Sequence, residues 1–262
     1  MKLLARLLKQ TRAPTEPISN SIASAKPTFE ALLPKTPELK EQFIEYVKIV
    51  NNSGGLYHQL DFGDGLIING RCNMARYVCF YDLPISLEGM TILDIGTSSG
   101  YFALECIRRG GEVTAIDIVD NQFLEVFASL TNEKVNYIKK NIYEIDAEFG
   151  QFDVVVCGSL LEHLPDPFGA LRKIRSVCKG EAIISTACPE DSGSSARPVC
   201  EFHGWEAEEG SHWSYWRIGA VALKNMLTAA GFAHAINERY FTLVSEPGYG
   251  IYSPHIVMTG LV

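Results

Sequence analysis

Residues Thr91 to Asp117 read T-I-L-D-I-G-T-S-S-G-Y-F-A-L-E-C-I-R-R-G-G-E-V-T-A-I-D, and no other stretch of the 262-residue chain restricts its fold as tightly. Thr91 to Ile95 is a short apolar run of buried-strand character, followed by a turn bounded by Gly96 and Gly100. Tyr101 to Arg109 reads as a helix. Glu112 to Ile116 is a second strand, ending on the carboxylate of Asp117. Strand, glycine turn, helix and strand with a terminal acid make the first half of a nucleotide-binding βαβ unit. The glycines let backbone pass close to a ligand that a side chain would push away. Asp117 is placed to accept hydrogen bonds from the two hydroxyls of a ribose.

The glycine spacing bears on which nucleotide. A pyrophosphate binder usually shows G-x-G-x-x-G, with amide groups at a helix start holding phosphates. Here Gly96 and Gly100 stand four apart with no third glycine, and Asp94 precedes the first by two residues. A carboxylate there suits a cation such as the ammonium of a methionine moiety and would repel a pyrophosphate. The pattern favours S-adenosylmethionine over a dinucleotide.

Formal net charge is −8, which opposes a phosphate backbone and makes nucleic acid an unfavoured partner. The seven cysteines include no C-x-x-C pair, which argues against a disulfide framework and a zinc site and for a reducing, cytoplasmic compartment. No run approaches the roughly 20 apolar residues needed to cross a bilayer. Met1 to Gln10 has Leu3, Leu4, Leu7 and Leu8 at helical spacing, a short helix packed on its own domain or a mobile tail. Thr11 to Pro37 is proline-rich, and residues 1–40 read as tail and linker. Glu38 to Val50 reads as a helix with Phe43, Val47 and Val50 on one face. It opens an extension, residues 41–90, expected to cap the mouth of the site.

The core, residues 91–262, continues with a helix over Asn121 to Leu130 and a third strand over Val135 to Ile138. Asn141 follows it, either facing an adenine ring or serving as a plain turn residue. Phe152 to Gly158 is the fourth strand, and Ser159-Leu160-Leu161-Glu162-His163-Leu164-Pro165 lies at its carboxyl end, where open α/β sheets bind ligands. A helix over Phe168 to Cys178 and a fifth strand over Glu181 to Ser185 come next. Residues 186–217 then leave the pattern for a stretch rich in glycine, acids and aromatics, read as a lid over the substrate. Val221 to Ala230 is a helix closed by Gly231, and Ala235 to Leu243 with His255 to Leu261 forms a terminal hairpin antiparallel to the sheet edge.

The run D-I-G-T-S-S-G-Y-F together with F-D-V-V-V-C-G-S-L-L-E-H-L-P-D-P resembles the class I S-adenosylmethionine-dependent methyltransferases. The stretch Tyr57-His58-Gln59-Leu60-Asp61-Phe62-Gly63-Asp64-Gly65, with Gly70 and Asp82-Leu83-Pro84, is similar to the segment before the core in the group related to the wobble-uridine carboxymethyl-transferring enzyme of transfer RNA. The run from His212 to Phe232 looks like the same group, and the resemblance covers roughly residues 55 to 260. It implies an α/β fold, a Rossmann-like doubly wound seven-stranded sheet with an antiparallel last strand, plus the N-terminal extension. It also implies donor contacts at Asp94, Gly96, Thr97, Gly100, Asp117, Ile118, Asn141, Ile142, Gly158 and Ser159.

That transfer RNA enzyme has a tyrosine where this chain has Glu162, which with basic residues holds the extra carboxylate of a carboxylated donor. A glutamate there would repel it, and Gln59 to Asp61 offer no cation, so ordinary S-adenosylmethionine is expected. Methyl transfer is mostly alignment, and a hydroxyl acceptor also has to lose a proton. His163, beside Glu162, is the first candidate base and His58 the second, although an E-H-L-P stretch equally serves to buttress a loop. Tyr57, Asp61, His203, His212, Trp213 and Trp216 are candidate acceptor contacts; the aromatics among them stack on substrate or simply pack the lid. His234 and His255 read as surface residues, and no carboxylate cluster suggests a metal. The expected activity is O-methylation of a small molecule or saccharide in a natural-product or surface-polysaccharide pathway. Modification of transfer RNA and a non-catalytic donor-binding module are the alternatives. Nothing in the composition opposes a homo-oligomer.

Overall fold

The computed structural model describes residues 31–131, 133, 135–204 and 214–262. The leucine-bearing start and most of the proline-rich stretch lie outside these residues. Helix α1 (Pro37–Asn52) begins where the Thr36 hydroxyl accepts from the Leu39 amide at 3.3 Å and Pro37 takes the first helical turn. It buries Phe43 and Val47, while Val50 is only partly covered. The Phe43 ring meets Phe62 edge-on at 5.0 Å and Phe127 at 6.1 Å, which seats the extension on the core.

Four short strands follow: β1 (Leu56–His58), β2 (Leu60–Asp61), β3 (Ile67–Ile68) and β4 (Gly70–Cys72). β1 pairs in parallel with β4 and β2 antiparallel with β3. The first pairing needs a glycine at its start. A Cβ on Gly70 would stand 2.1 Å from the Gln59 nitrogen and 2.2 Å from the His58 carbonyl carbon.

The core is then β5 (Thr91–Ile95), α2 (Tyr101–Arg108), β6 (Glu112–Asp117), α3 (Gln122–Thr131), β7 (Val135–Lys139), β8 (Phe152–Gly158), α4 (Pro167–Val177) and β9 (Cys178–Ala187). It closes with β10 (Cys200–Phe202), β11 (Trp216–Ile218), α5 (Ala220–Ala230), β12 (His234–Val244) and β13 (Tyr252–Leu261). Seven strands form one sheet in the order β12-β13-β9-β8-β5-β6-β7, with β13 antiparallel to both neighbours. This is the Rossmann-like doubly wound arrangement. Successive strand residues serve opposite faces: Ile92, Val113 and Val154 pack beneath α1, α2 and α3, while Leu93, Ile95 and Val155 pack against α4 and α5. Both faces being covered explains why these strands read as continuous apolar runs.

The terminal hairpin forms and its last strand is the antiparallel one, as expected. Within the sheet, β13 inserts between β9 and β12. Its Ile256, Val257 and Met258 are all buried, whereas β12 alternates covered and open residues along Ala235 to Glu238. The more apolar strand takes the position covered on both sides, and the alternating one tolerates the edge.

The insertion is also more regular than its composition suggests. Thr186 and Ala187 complete β9, and β10 pairs antiparallel with β11, Phe202 opposite Trp216. His212 and Trp213 lie outside the described residues. Among the described residues no helix is long and apolar enough to cross a membrane, and no cluster of three metal-ligating side chains occurs.

Candidate active site

The turn after β5 is shaped by three residues of positive φ: Gly96 (+70°), Ser98 (+49°) and Gly100 (+85°). A Cβ on Gly96 would meet the Leu160 side chain at 3.0 Å, and one on Gly100 the Leu124 side chain at 2.7 Å. Below the turn, Asp94 Oδ2 accepts from the Thr97 hydroxyl at 2.6 Å and the Ala103 amide at 3.0 Å, which ties β5 to α2. Burial pushes the Asp94 carboxyl up to about 7, against the opposing pull of these two donors. Beside the turn, Asp117 accepts from the Ser98 amide at 2.9 Å and the Ile118 amide at 2.7 Å. Each carboxylate oxygen keeps acceptor capacity for a further donor.

A cleft of about 750 Å³ opens at the carboxyl ends of β5, β6 and β8, where the strand order reverses. Gly96, Ser98, Asp117, Ile118 and Val119 form one part of its lining, and Gly158, Ser159, Leu160 and His163 another. Ile118 and Val119 are 64% and 56% exposed, an apolar shelf beside the acid. The extension supplies Tyr57, His58, Arg71 and Met74, and the link between β12 and β13 supplies Gly248 and Tyr249. Ser99 holds the extension in place, its hydroxyl oxygen accepting from the Tyr57 and His58 amides at 3.1 Å each. The His58 ring has a buried Nδ1 without a hydrogen-bond partner, and burial lowers its pKa to about 4, so it is neutral near pH 7. Burial likewise pushes the Tyr57 hydroxyl up, keeping it protonated.

Residues 73–244 match the family model for a methyltransferase domain, which is well over half of the chain. The chain belongs to that family. The ubiquinone biosynthesis O-methyltransferase of Escherichia fergusonii is 34% identical over 121 residues, covering 44% of this chain and 50% of that protein. Its namesake in Xanthomonas campestris is 32% identical over 107 residues, covering 39% and 45%. The chain thus spans about half the length of the curated relatives it matches. Among solved structures, the N-terminal domain of EvdMO1 with SAH bound superposes with a TM-score of 0.57 at 18% identity, over 85% of this chain and 96% of that one. The 1,6-didemethyltoxoflavin-N1-methyltransferase of Burkholderia thailandensis gives 0.51 at 22% identity, over 66% and 71%. At these identities the structural likeness speaks for the fold. The domain is that of a class I, S-adenosylmethionine-dependent methyltransferase.

Its cleft fits that donor on its own terms: a glycine turn with no room for a Cβ, a carboxylate with free acceptor capacity, and an exposed apolar shelf beside it. Of the residues singled out in the sequence, Tyr57, His58, Gly96, Asp117, Ile118, Gly158, Ser159 and His163 line this cleft. Others are placed elsewhere. Asp94 and Thr97 are buried under the turn and bonded to each other, so Oδ2 of the carboxylate braces the loop. Gly100 packs on Leu124, and Ile142 is in the core. The Asn141 side chain accepts from the Tyr143 amide at 3.0 Å, capping its own turn.

Glu162 is the clearest correction. It is 3% exposed, accepts from the Thr186 hydroxyl at 3.0 Å, and faces His255 Nε2 at 3.3 Å. His255 is therefore buried, not a surface residue. Burial opposes ionisation of Glu162, but the His255 hydrogen bond with the charges of His163 and His255 nets its pKa below the usual value. Glu162 ties the β8 turn to β9 and β13 and does not itself line the cleft. Asp61 accepts from the Gly63 amide at 2.9 Å and borders a separate hollow. His203 is exposed beside Glu201, and Trp216 packs on Phe202 at 4.8 Å. Neither lines the cleft, because both belong to the β10–β11 ribbon. Arg71, Ser99, Phe102 and Tyr249 were not anticipated. Only Ser99 carried a sequence signal, the second serine of the turn.

The role of Asp94 is testable by stability. Asp94→Ala strands two buried donors at roughly 1–3 kcal/mol each, so an unfolding free energy lower by several kcal/mol is expected in urea titration, with Asp94→Asn closer to wild type. The sign with pH follows from a folded pKa raised above the unfolded one. Relative to Asp94→Asn, wild-type stability is greatest below the unfolded carboxyl pKa and declines as pH rises through about 7.

Proposed function

We propose that the protein transfers the methyl group of S-adenosylmethionine to a hydroxyl of a small molecule or saccharide. The observation that carries this reading is the meeting, in one cleft, of the β5 turn with Asp117, the imidazole of His163, and a wall from the extension. The names of the relatives, O-methyltransferases matched over about half their length, support oxygen as the attacking atom. The donor supplies an electrophilic methyl on a sulfonium: the new O–C bond forms as the C–S bond breaks, and the electron pair leaves on a neutral thioether. The residues do the rest. Asp117 with Ile118 and Val119 fixes the adenosyl end, and the glycine turn brings backbone close to the methionine end.

His163 takes the acceptor's hydroxyl proton in this reading. It is exposed at the cleft rim, held there because Glu162 beside it is anchored to Thr186 and His255. His58, neutral and closed in, offers Nδ1 to orient the acceptor. Residues 41–90 act as the cap of the site, with Tyr57, His58, Arg71 and Met74 in its wall. The net charge of −8 weighs against a transfer RNA acceptor.

Calorimetry with S-adenosylhomocysteine tests the donor half, and absence of binding sinks the proposal. For the base, His163→Ala is expected to lower the rate of S-adenosylhomocysteine formation by about 10²–10⁴ with product affinity unchanged. A fall of less than threefold would remove His163 from that role.

A further inference from the structure

We propose that the acceptor carries an anionic group, a carboxylate, held by Arg71 at the wall of the cleft. This rests on the methyl-transfer reading above and names the substrate class it leaves open. Arg71 is the only Lys or Arg among the described residues that line the cleft. It sits on β4, its guanidinium 5.5 Å from the centre of the Tyr249 ring. The pairing is built into the fold. The Arg71 carbonyl accepts from the Glu246 amide at 2.8 Å, which binds the loop carrying Tyr249 back onto the strand carrying Arg71.

No described acid neutralises this cation. Glu246, on the same loop, is paired with Arg76 at 2.8 Å, and Asp82 with Arg239 at 3.3 Å. Asp117, the acid in the cleft, is engaged by the Ser98 and Ile118 amides on the β5–β6 side. A sulfonium donor adds a second positive charge to the same cleft. An anion brought in with the acceptor offsets the positive charge that Arg71 and the sulfonium place in the cleft.

The neighbours of Arg71 fit a flat, polar-edged acceptor. Tyr57 and Tyr249 present rings, and the closed-in Nδ1 of His58 lacks a partner. A guanidinium stacked on an aromatic ring keeps its planar fork of donors, the geometry that takes a carboxylate through two parallel hydrogen bonds. The anion sets position, and the hydroxyl that is methylated projects from the same ring toward His163.

A matched pair of probes tests this: 3,4-dihydroxybenzoate and 3,4-dihydroxybenzamide, which share ring and hydroxyls and differ in charge. Both are titrated by calorimetry into protein saturated with S-adenosylhomocysteine, for wild type, Arg71→Gln and Arg71→Lys. The expected result is binding of the benzoate about 10- to 100-fold tighter than the benzamide in wild type. Arg71→Gln erases that preference, Arg71→Lys keeps part of it, and S-adenosylhomocysteine binds all three proteins alike. Equal binding of the two probes, binding of neither, or a preference that survives Arg71→Gln overturns the proposal. So does a tenfold or greater loss of S-adenosylhomocysteine affinity in Arg71→Gln, which would assign Arg71 to the donor's own carboxylate. Wild type that takes up no S-adenosylhomocysteine is a different failure, that of the methyl-transfer reading itself.

Discussion

Asp117→Ala is expected to weaken binding of S-adenosylhomocysteine by roughly 100- to 1000-fold, read by calorimetry, with little change in melting temperature. Hydrogen bonds to an ionised carboxylate are worth about 1.5–3 kcal/mol each, and this side chain can offer two to a ribose while still bonded to the Ser98 and Ile118 amides. Its loss also frees the Ser98 amide, at a residue held at φ +49°. Asp117→Asn separates the two effects: it keeps an acceptor for one amide but replaces the other oxygen with a donor, so an intermediate loss is expected. Affinity within threefold of wild type for Asp117→Ala would place the adenosyl end elsewhere.

Gly70→Ala is expected to be among the most damaging single methyl additions in the chain, and to act on both stability and the cleft. The new Cβ would lie 2.1 Å from the Gln59 nitrogen and 2.2 Å from the His58 carbonyl carbon, both backbone atoms that cannot rotate away. Overpacking typically destabilises by about 1–3 kcal/mol where side chains can yield, and here they are not the obstacle. The β1–β4 pairing has to part, carrying Tyr57 and His58 off Ser99. A lowered urea midpoint together with reduced turnover checks this. Gly65→Ala serves as the contrast: that glycine has positive φ (+76°), which Gly70 does not, but no atom within 4 Å of its would-be Cβ. Damage from Gly70→Ala no greater than that from Gly65→Ala would count against the close approach, since Gly70 has no positive φ to strain.

The two substitutions differ in how far each could be foreseen. Asp117 was legible because a carboxylate ending the second strand of a βαβ unit has a position fixed by local geometry. Gly70 could be read as a motif glycine, but its reason is the crossing of two segments eleven residues apart. His163 and Ser159 line the cleft for a reason as local as that of Asp117: they follow the fourth parallel strand directly. Glu162, one residue from His163, went the other way, since its direction depends on His255, 93 positions later in the chain. A buried acid next to an exposed histidine cannot be told from a catalytic pair by sequence alone.

The sequence by itself determined the parallel strands, the glycine turn, the carboxylate ending β6 and hence the family. All of these come from periodicity and spacing within single βαβ units, where neighbours in the chain are neighbours in space. The tertiary structure alone decided that Asp94 braces the turn, that β13 lies inside the edge, and that Arg71 and Tyr249 share one wall of the cleft. Each depends on contacts between segments distant in sequence, where burial and hydrogen-bond demand, not local pattern, choose the direction of a side chain.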